Sequence, residues 1–146
     1  MKPLYLCPLL ICLCLFSTVS SAQVVSAPPE VANNFVKMFP DAANIQWRNK
    51  MTNFSAFFND KGVKCEAKFT PDGKWISTEE AIQWDSLPPI VRDSLRSCKY
   101  ADWKGTSAYV LRSSDGMTQY HIVVTKDELG RKLLFFGQNG QLLSEH

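Results

Sequence analysis

The sequence predicts an α+β protein in which a helix and a four-stranded antiparallel meander occur twice in tandem. Three observations predict it: PPEV at 28–31 recurs as PPIV at 88–91, the segment 69–77 recurs as 136–144, and each proline pair precedes one helical segment and several short alternating ones. Such repeats indicate a duplicated structural unit. Because one helix covers only one face of a meander, the two units would form one roughly eight-stranded sheet with both helices on one face.

The first repeat, about 28–80, is predicted to contain one helix and four strands. Its proline pair suits the first turn of a helix, and apolar residues follow at helical spacing until Pro40. Turns that contain an aspartate and a glycine, at 60–62 and 71–73, separate the later strands. The predicted strands are 45–50, 53–59, 63–70 and 75–78.

The second repeat, about 87–146, has the same order. Val91, Leu95 and Cys98 form the apolar face of its helix, and the segment 81–87 would join the two repeats. Asp-Gly and Asn-Gly pairs between alternating segments are strong hairpin signals. The predicted strands are 103–112, 118–125, 131–136 and a final strand after Gly140.

The beginning of the chain has the three parts of a cleavable secretory signal: a lysine, an apolar run over 4–16, and small residues before a cut at Gln23. The run is shorter than the about 20 apolar residues that a membrane-spanning helix needs. We therefore expect a signal peptide over 1–22 and a periplasmic or secreted single domain over 23–146, with no membrane span after cleavage. An uncleaved anchor and a lipoprotein are the alternatives.

The charge of the chain is nearly balanced. Lysine and arginine number 16, aspartate and glutamate number 14, and Lys2 would leave with the signal. A near-neutral chain gives no electrostatic case for binding nucleic acid or an anionic membrane. The length after cleavage suits one domain that can bury a core without a metal or a disulfide framework.

Short motifs follow one another along the mature chain: FPDA at 39–42, IQW at 45–47, AKF at 67–69, DGKW at 72–75, TEE at 78–80 and LPP at 87–89. In order and spacing they resemble the β-lactamase-inhibitor-like, PepSY-like family of small exported Bacteroidetes proteins. The resemblance covers nearly the whole mature chain and implies the same duplicated unit. It also implies kinship in shape with proteins that bind and block enzymes, and it supplies no catalytic residues.

Residues with catalytic or metal-binding chemistry are few. His121 lies inside a predicted strand and His146 is the last residue, and two isolated histidines do not make a metal site by their spacing. Asp72, Asp115 and Asp127 fall at turns, where turn chemistry explains them better than calcium binding. We therefore expect no metal, no cofactor and no enzymatic activity.

Two cysteines remain after the predicted cleavage. Cys65 shares a strand face with predicted core residues, and Cys98 shares a helix face with Val91 and Leu95. The sequence allows two interpretations of these cysteines: two buried free thiols, or a disulfide between Cys65 and Cys98. A catalytic thiol would need a neighbouring base, and His121 is the only internal candidate.

The two repeats differ on one strand face. Glu66 and Lys68 in the first repeat align with Leu133 and Phe135 in the second, so the strand 131–136 should be apolar on both faces. An apolar patch on an otherwise charged sheet indicates a protein or ligand contact. Central-strand hydrophobicity and cover by a chain terminus are the alternatives.

We predict a binding surface at Leu133 and Phe135, with Trp103 and Tyr109 as further members if they point to the same side. The predicted function is a non-catalytic exported binding module for a protein or peptide, with enzyme inhibition as one form of that binding. The alternative is a small-ligand carrier or sensor whose four tryptophans line an apolar cleft.

Overall fold

The computed structural model describes residues 26–128 and 130–146. The predicted signal peptide lies outside the described residues. The elements in chain order are α1 (Pro29–Met38), β1 (Ala42–Lys50), β2 (Asn53–Asp60), β3 (Val63–Phe69), β4 (Trp75–Ile82), a short 3-10 helix (Trp84–Ser86), α2 (Pro89–Ser97), β5 (Lys104–Ser113), β6 (Thr118–Thr125), β7 (Arg131–Gly137) and β8 (Leu142–Glu145).

All eight strands form one antiparallel sheet in which each strand pairs with the next along the chain. The predicted α+β fold, with one helix and four strands in each unit, is confirmed. The strand bounds differ most at β4, which was predicted to end at Thr78 and continues to Ile82. It continues because β5 pairs with it from Ser77–Ser113 to Ile82–Ala108, and this pairing joins the two units.

Both helices pack on the same face of the sheet. Directly paired residues in a sheet point to the same side, and one row of such pairs runs from Phe58 in β2 to Phe136 in β7. Phe58 packs with α1 and Phe136 packs with α2. We call this side the helix face and the opposite side the open face.

The first core forms between α1 and the strands β2 and β3. Val31 and Phe35 are its buried helix residues, and the Phe35 ring meets four other aromatic rings at centroid distances of 4.9 to 6.2 Å. Trp47 and Trp75 pack against its margin. The buried members of this core are Val31, Phe35, Ala56, Phe58, Cys65, Ala67 and Phe69.

The second core forms between α2 and the later strands. Val91 and Leu95 are its buried helix residues, and Trp103 packs against its margin. The two cores are separate clusters on one sheet. The buried members of the second core are Leu87, Val91, Leu95, Tyr100, Ala108, Ile122, Val124, Leu134 and Phe136.

Each unit has a glycine turn pressed against the start of its own helix. Gly73 and Gly140 have φ values of +83° and +80°, a backbone conformation that favours glycine. A Cβ atom at Gly73 would lie 3.0 Å from the Glu30 carbonyl oxygen, and one at Gly140 would lie 2.9 Å from the Ile90 carbonyl oxygen. The glycines aligned in the sequence therefore make equivalent contacts in both units.

Candidate binding face of the sheet

The open face has a partly apolar centre between β5 and β7, formed by Tyr109, Leu133 and Phe135. One row of paired residues contains Tyr109, His121 and Phe135, and Leu133 pairs with Val123 in the next row on the same side. Tyr109, Leu133 and Phe135 are all partly exposed. The structure therefore brings together three of the four residues predicted for the binding surface.

Trp103 is the fourth predicted residue, and it lies elsewhere. Its ring packs at 5.0 Å from the Tyr100 ring, in contact with the second core on the helix face. It precedes β5, whose register shifts between Gly105 and Ser107, so alternation counted from Tyr109 does not fix its direction. We therefore exclude Trp103 from the candidate surface.

His121 and Glu79 meet on the open face, although β5 lies between their strands. His121 Nδ1 lies 2.8 Å from Glu79 Oε2, a distance at which the ring N–H donates to the carboxylate. His121 is only 6% exposed, and its Nε2 atom is buried without a hydrogen-bond partner. This pair joins the two repeats through a strand register that local sequence patterns do not show, so the sequence alone does not predict it.

A second link joins the two units on the helix face. Arg112 donates to Glu80 Oε2 over 2.9 Å. Because Glu79 and Glu80 are consecutive residues of β4, they extend to opposite faces of the sheet. The junction of β4 with the second unit is therefore linked by charged side chains on both faces.

Phe135 lies between two histidine rings. The His121 and Phe135 ring centroids are 4.3 Å apart, and those of Phe135 and His146 are 5.4 Å apart. His146 also exchanges two backbone hydrogen bonds with Leu133, of 2.9 and 3.0 Å. One alternative interpretation of the apolar patch is cover by a chain terminus. The contacts of His146 cover part of the patch, but Leu133 and Phe135 stay partly exposed.

A pocket of about 260 Å³ opens beside the apolar centre. Glu66 and Glu79, which line it, are directly paired across β3 and β4, and like charges in such a pair destabilise a sheet. Lys50 and Lys68 lie 3.7 and 3.9 Å from Glu66, and His121 contacts Glu79. The lining residues are Phe57, Lys64, Cys65, Glu66, Glu79 and Tyr109.

Cys65 and Cys98 are both free thiols in different cores, so the disulfide between them is not formed. Burial, followed by the nearby negative charge of Glu80, raises the pKa of Cys65 to about 11. A thiol with that pKa is protonated at neutral pH and is a poor nucleophile.

We expect alkylation to separate the two thiols. At pH 8 a pKa of about 11 leaves roughly one Cys65 in a thousand as thiolate, so iodoacetamide should modify the half-buried Cys98 first. Peptide mass spectrometry of the folded protein after limited labelling measures this order. Equal labelling of both thiols in the folded protein would contradict it, and labelling in denaturant is the control.

The described residues offer no evident metal centre. Among residues 26–128 and 130–146, no group of three or more histidine, cysteine, aspartate or glutamate side chains is placed to hold a metal ion. In the same ranges no helix combines the length and apolar character needed to cross a bilayer.

Comparison with known proteins finds similarity of fold. No protein-family model matches the chain, and no curated protein matches it. A DUF2874 family protein from Bacteroides ovatus aligns at 25% identity with a TM-score of 0.76, over 84% of this chain and 88% of that one. A BLIP-like protein from Bacteroides fragilis aligns at 22% identity with a TM-score of 0.70, over 84% and 86%.

A Bacteroides eggerthii protein, provisionally described as periplasmic, aligns at 22% identity with a TM-score of 0.78, over 84% of this chain and 89% of that one. These similarities extend over nearly all of each structure. They support the part of the sequence resemblance that concerns a BLIP-like fold in Bacteroidetes, whereas none of these three proteins is described as PepSY-like.

Proposed function

We propose that this chain is an exported, non-catalytic binding module of the periplasm or cell envelope, related to the DUF2874 and BLIP-like proteins of Bacteroides. Its open face would bind a protein or peptide. The observation that carries the proposal is the group of partly exposed apolar residues Tyr109, Leu133 and Phe135 on a sheet face that neither helix covers. Exposed apolar groups with a polar surround are typical of interaction surfaces.

The chemistry of the candidate groups supports a non-catalytic role. The Glu79–His121 pair resembles part of a catalytic arrangement, yet the free His121 Nε2 is buried and its ring is packed against Phe135. A general base must reach the proton that it removes. The Cys65 thiol is kept protonated at neutral pH by its raised pKa.

The size of the pockets favours a macromolecule over the small-ligand alternative. The two pockets that Phe57 lines have volumes of about 260 and 240 Å³, which are smaller than the roughly 300 Å³ at which ligand sites usually begin. Three tryptophans, Trp47, Trp75 and Trp103, pack against the two cores instead of lining these pockets. If small molecules that co-purify with the protein leave its tryptophan fluorescence unchanged, that result would agree with a macromolecular partner.

The proposal predicts that cross-linking in the native envelope will be confined to one face of the protein. A photoreactive benzoylphenylalanine at Leu111, on the open face, should give a protein adduct, while the same residue at Met38 on α1 should not. The double substitution Leu133→Glu/Phe135→Lys should abolish the Leu111 adduct, because it places charges in the apolar centre of the contact. Immunoblotting after irradiation measures the adduct.

A matched control changes two exposed apolar residues on the helices. Val36→Glu/Ile90→Lys introduces the same charges at positions that are 59% and 50% exposed, and it should leave the adduct unchanged. Thermal unfolding of both variants checks that they are folded, and Phe135→Ala replaces the double variant if it is not. Equal adducts at Leu111 and Met38, or an adduct that resists the folded variants, would refute the proposal.

A further inference from the structure

The charges of this protein are divided unequally between its two sides. Strand register places six cationic side chains on the open face but only two carboxylates, Glu66 and Glu79. The whole chain has 16 basic and 14 acidic residues, so the remaining surface is acidic overall. The six cations are Arg48, Lys50, Lys64, Lys68, Lys104 and Arg131.

Each of the two carboxylates on this face lies beside cationic or N–H groups of the protein itself. Glu66 is shared by Lys50 and Lys68, at 3.7 and 3.9 Å, and Glu79 is held by His121. They therefore offset part of the local positive charge, but two carboxylates do not balance six cations. The face is net positive even though the chain is nearly neutral.

Four of the six cations have no carboxylate contact within the described residues. Lys64, Lys104 and Arg131 are exposed, and the Arg48 guanidinium lies 4.6 Å from the centre of the Phe57 ring. A partner can bind exposed cations that have no counterion within the protein, because no existing ion pair has to break. Arg48 is on β1, at one edge of the sheet, and Arg131 is on β7, the strand that carries Leu133 and Phe135.

We propose that the partner of the open face is a protein whose contacting surface is acidic around an apolar centre. This inference rests on the proposed function and adds the chemistry of the partner to it. Partner carboxylates would meet Lys64, Lys104 and Arg131, while apolar side chains would contact Tyr109, Leu133 and Phe135. Such complementary charge speeds association and excludes partners of the wrong charge.

An acidic protein fits this face better than a nucleic acid or an anionic lipid surface does. Nucleic acids are bound mainly through many phosphate contacts, whereas the centre of this face is occupied by apolar side chains and two carboxylates. A lipid surface offers no side chain to fill the pocket of about 260 Å³ between Phe57 and Tyr109. A protein can supply both carboxylates and inserted side chains.

The test selects random 15-residue peptides by phage display on the immobilised mature chain and compares their composition with the unselected library. We expect enrichment of aspartate and glutamate together with apolar residues. Binding of synthetic selected peptides should weaken about ten-fold for Lys64→Glu/Arg131→Glu at low salt. The difference should shrink at 0.5 M salt, because salt screens exposed charges.

The control Lys37→Glu/Arg96→Glu makes the same change in net charge on the two helices, where both residues are exposed, and should bind the peptides as the wild type does. Selected peptides that are not acidic, or that tolerate Lys64→Glu/Arg131→Glu, would overturn the inference. Tighter binding to single-stranded DNA or to phosphatidylglycerol vesicles than to the peptides would also overturn it.

The same experiment separates this inference from the proposed function. If the selected peptides are neutral or basic and do not bind the Phe135→Ala variant, the open face remains the docking surface. Only the acidic chemistry of the partner is then refuted. Peptides that bind Phe135→Ala and Leu133→Glu/Phe135→Lys as well as the wild type, or failure to select any peptide, would count against the open face itself.

Discussion

Replacing Phe35 by alanine is expected to lower the free energy of unfolding by about 3–5 kcal/mol, the usual cost of deleting a buried phenylalanine ring. Phe35 is 1% exposed and contacts the rings of Phe39, Trp47, Phe58 and Phe69. Its removal would leave a cavity between α1 and the sheet that these rings cannot fill without leaving their packed positions. Urea unfolding followed by tryptophan fluorescence measures the change.

The neighbouring residue is the control for the Phe35 substitution. Val36 is on the same helix and is 59% exposed, so Val36→Ala should change the free energy of unfolding by less than about 0.5 kcal/mol. A loss below about 1 kcal/mol for Phe35→Ala would show that α1 is not packed on the sheet as described. The second core shares no residues with the first, so Phe35→Ala should leave its packing intact until the whole protein unfolds.

Gly140→Ala is expected to destabilise the protein by about 2–4 kcal/mol, through two causes that can be separated. The first is the positive φ of +80°, which costs a residue with a Cβ atom about 1–2 kcal/mol. The second is crowding, because the new Cβ would lie 2.7 Å from Ser94 Oγ and 2.9 Å from the Ile90 carbonyl oxygen. The backbone atom belongs to α2 and cannot move without shifting the helix.

Gly116 provides the matched control for Gly140. It has a φ of +84°, but a Cβ there would meet nothing within 4 Å, so Gly116→Ala should show the cost of conformation alone. Gly73→Ala should resemble Gly140→Ala, since its Cβ would lie 3.0 Å from the Glu30 carbonyl oxygen. Equal losses of stability at Gly116 and Gly140 would show that the contact between turn and helix has no energetic weight.

The sequence predicts the elements of this fold well because their signals are local. The proline pairs begin both helices one residue after the first proline, and Asp-Gly and Asn-Gly turns separate the strands where expected. Alternation within one strand was also sufficient to place Leu133 and Phe135 on the open face. These features depend on neighbouring residues and need no knowledge of strand register.

The parts that the sequence does not predict depend on contacts between distant residues. The pairing of Glu79 with His121 depends on how β4, β5 and β6 align, and a shift of register by one residue would place either side chain on the other face. The direction of Trp103 depends on a register shift at the start of β5. The excess of cations on the open face likewise appears only once every strand is assigned a register.

The ends of the sheet have a consequence for self-association. β1 has an interrupted register between Ala43 and Gln46, and Asn44 there has a φ of +55°. This strand also carries Arg48 and Lys50, and β8 is only four residues long. Bulged, charged or short edge strands are poor templates for adding another strand. The protein is thereby protected from edge-to-edge aggregation, and the binding proposed for its open face would use side chains instead of an added strand.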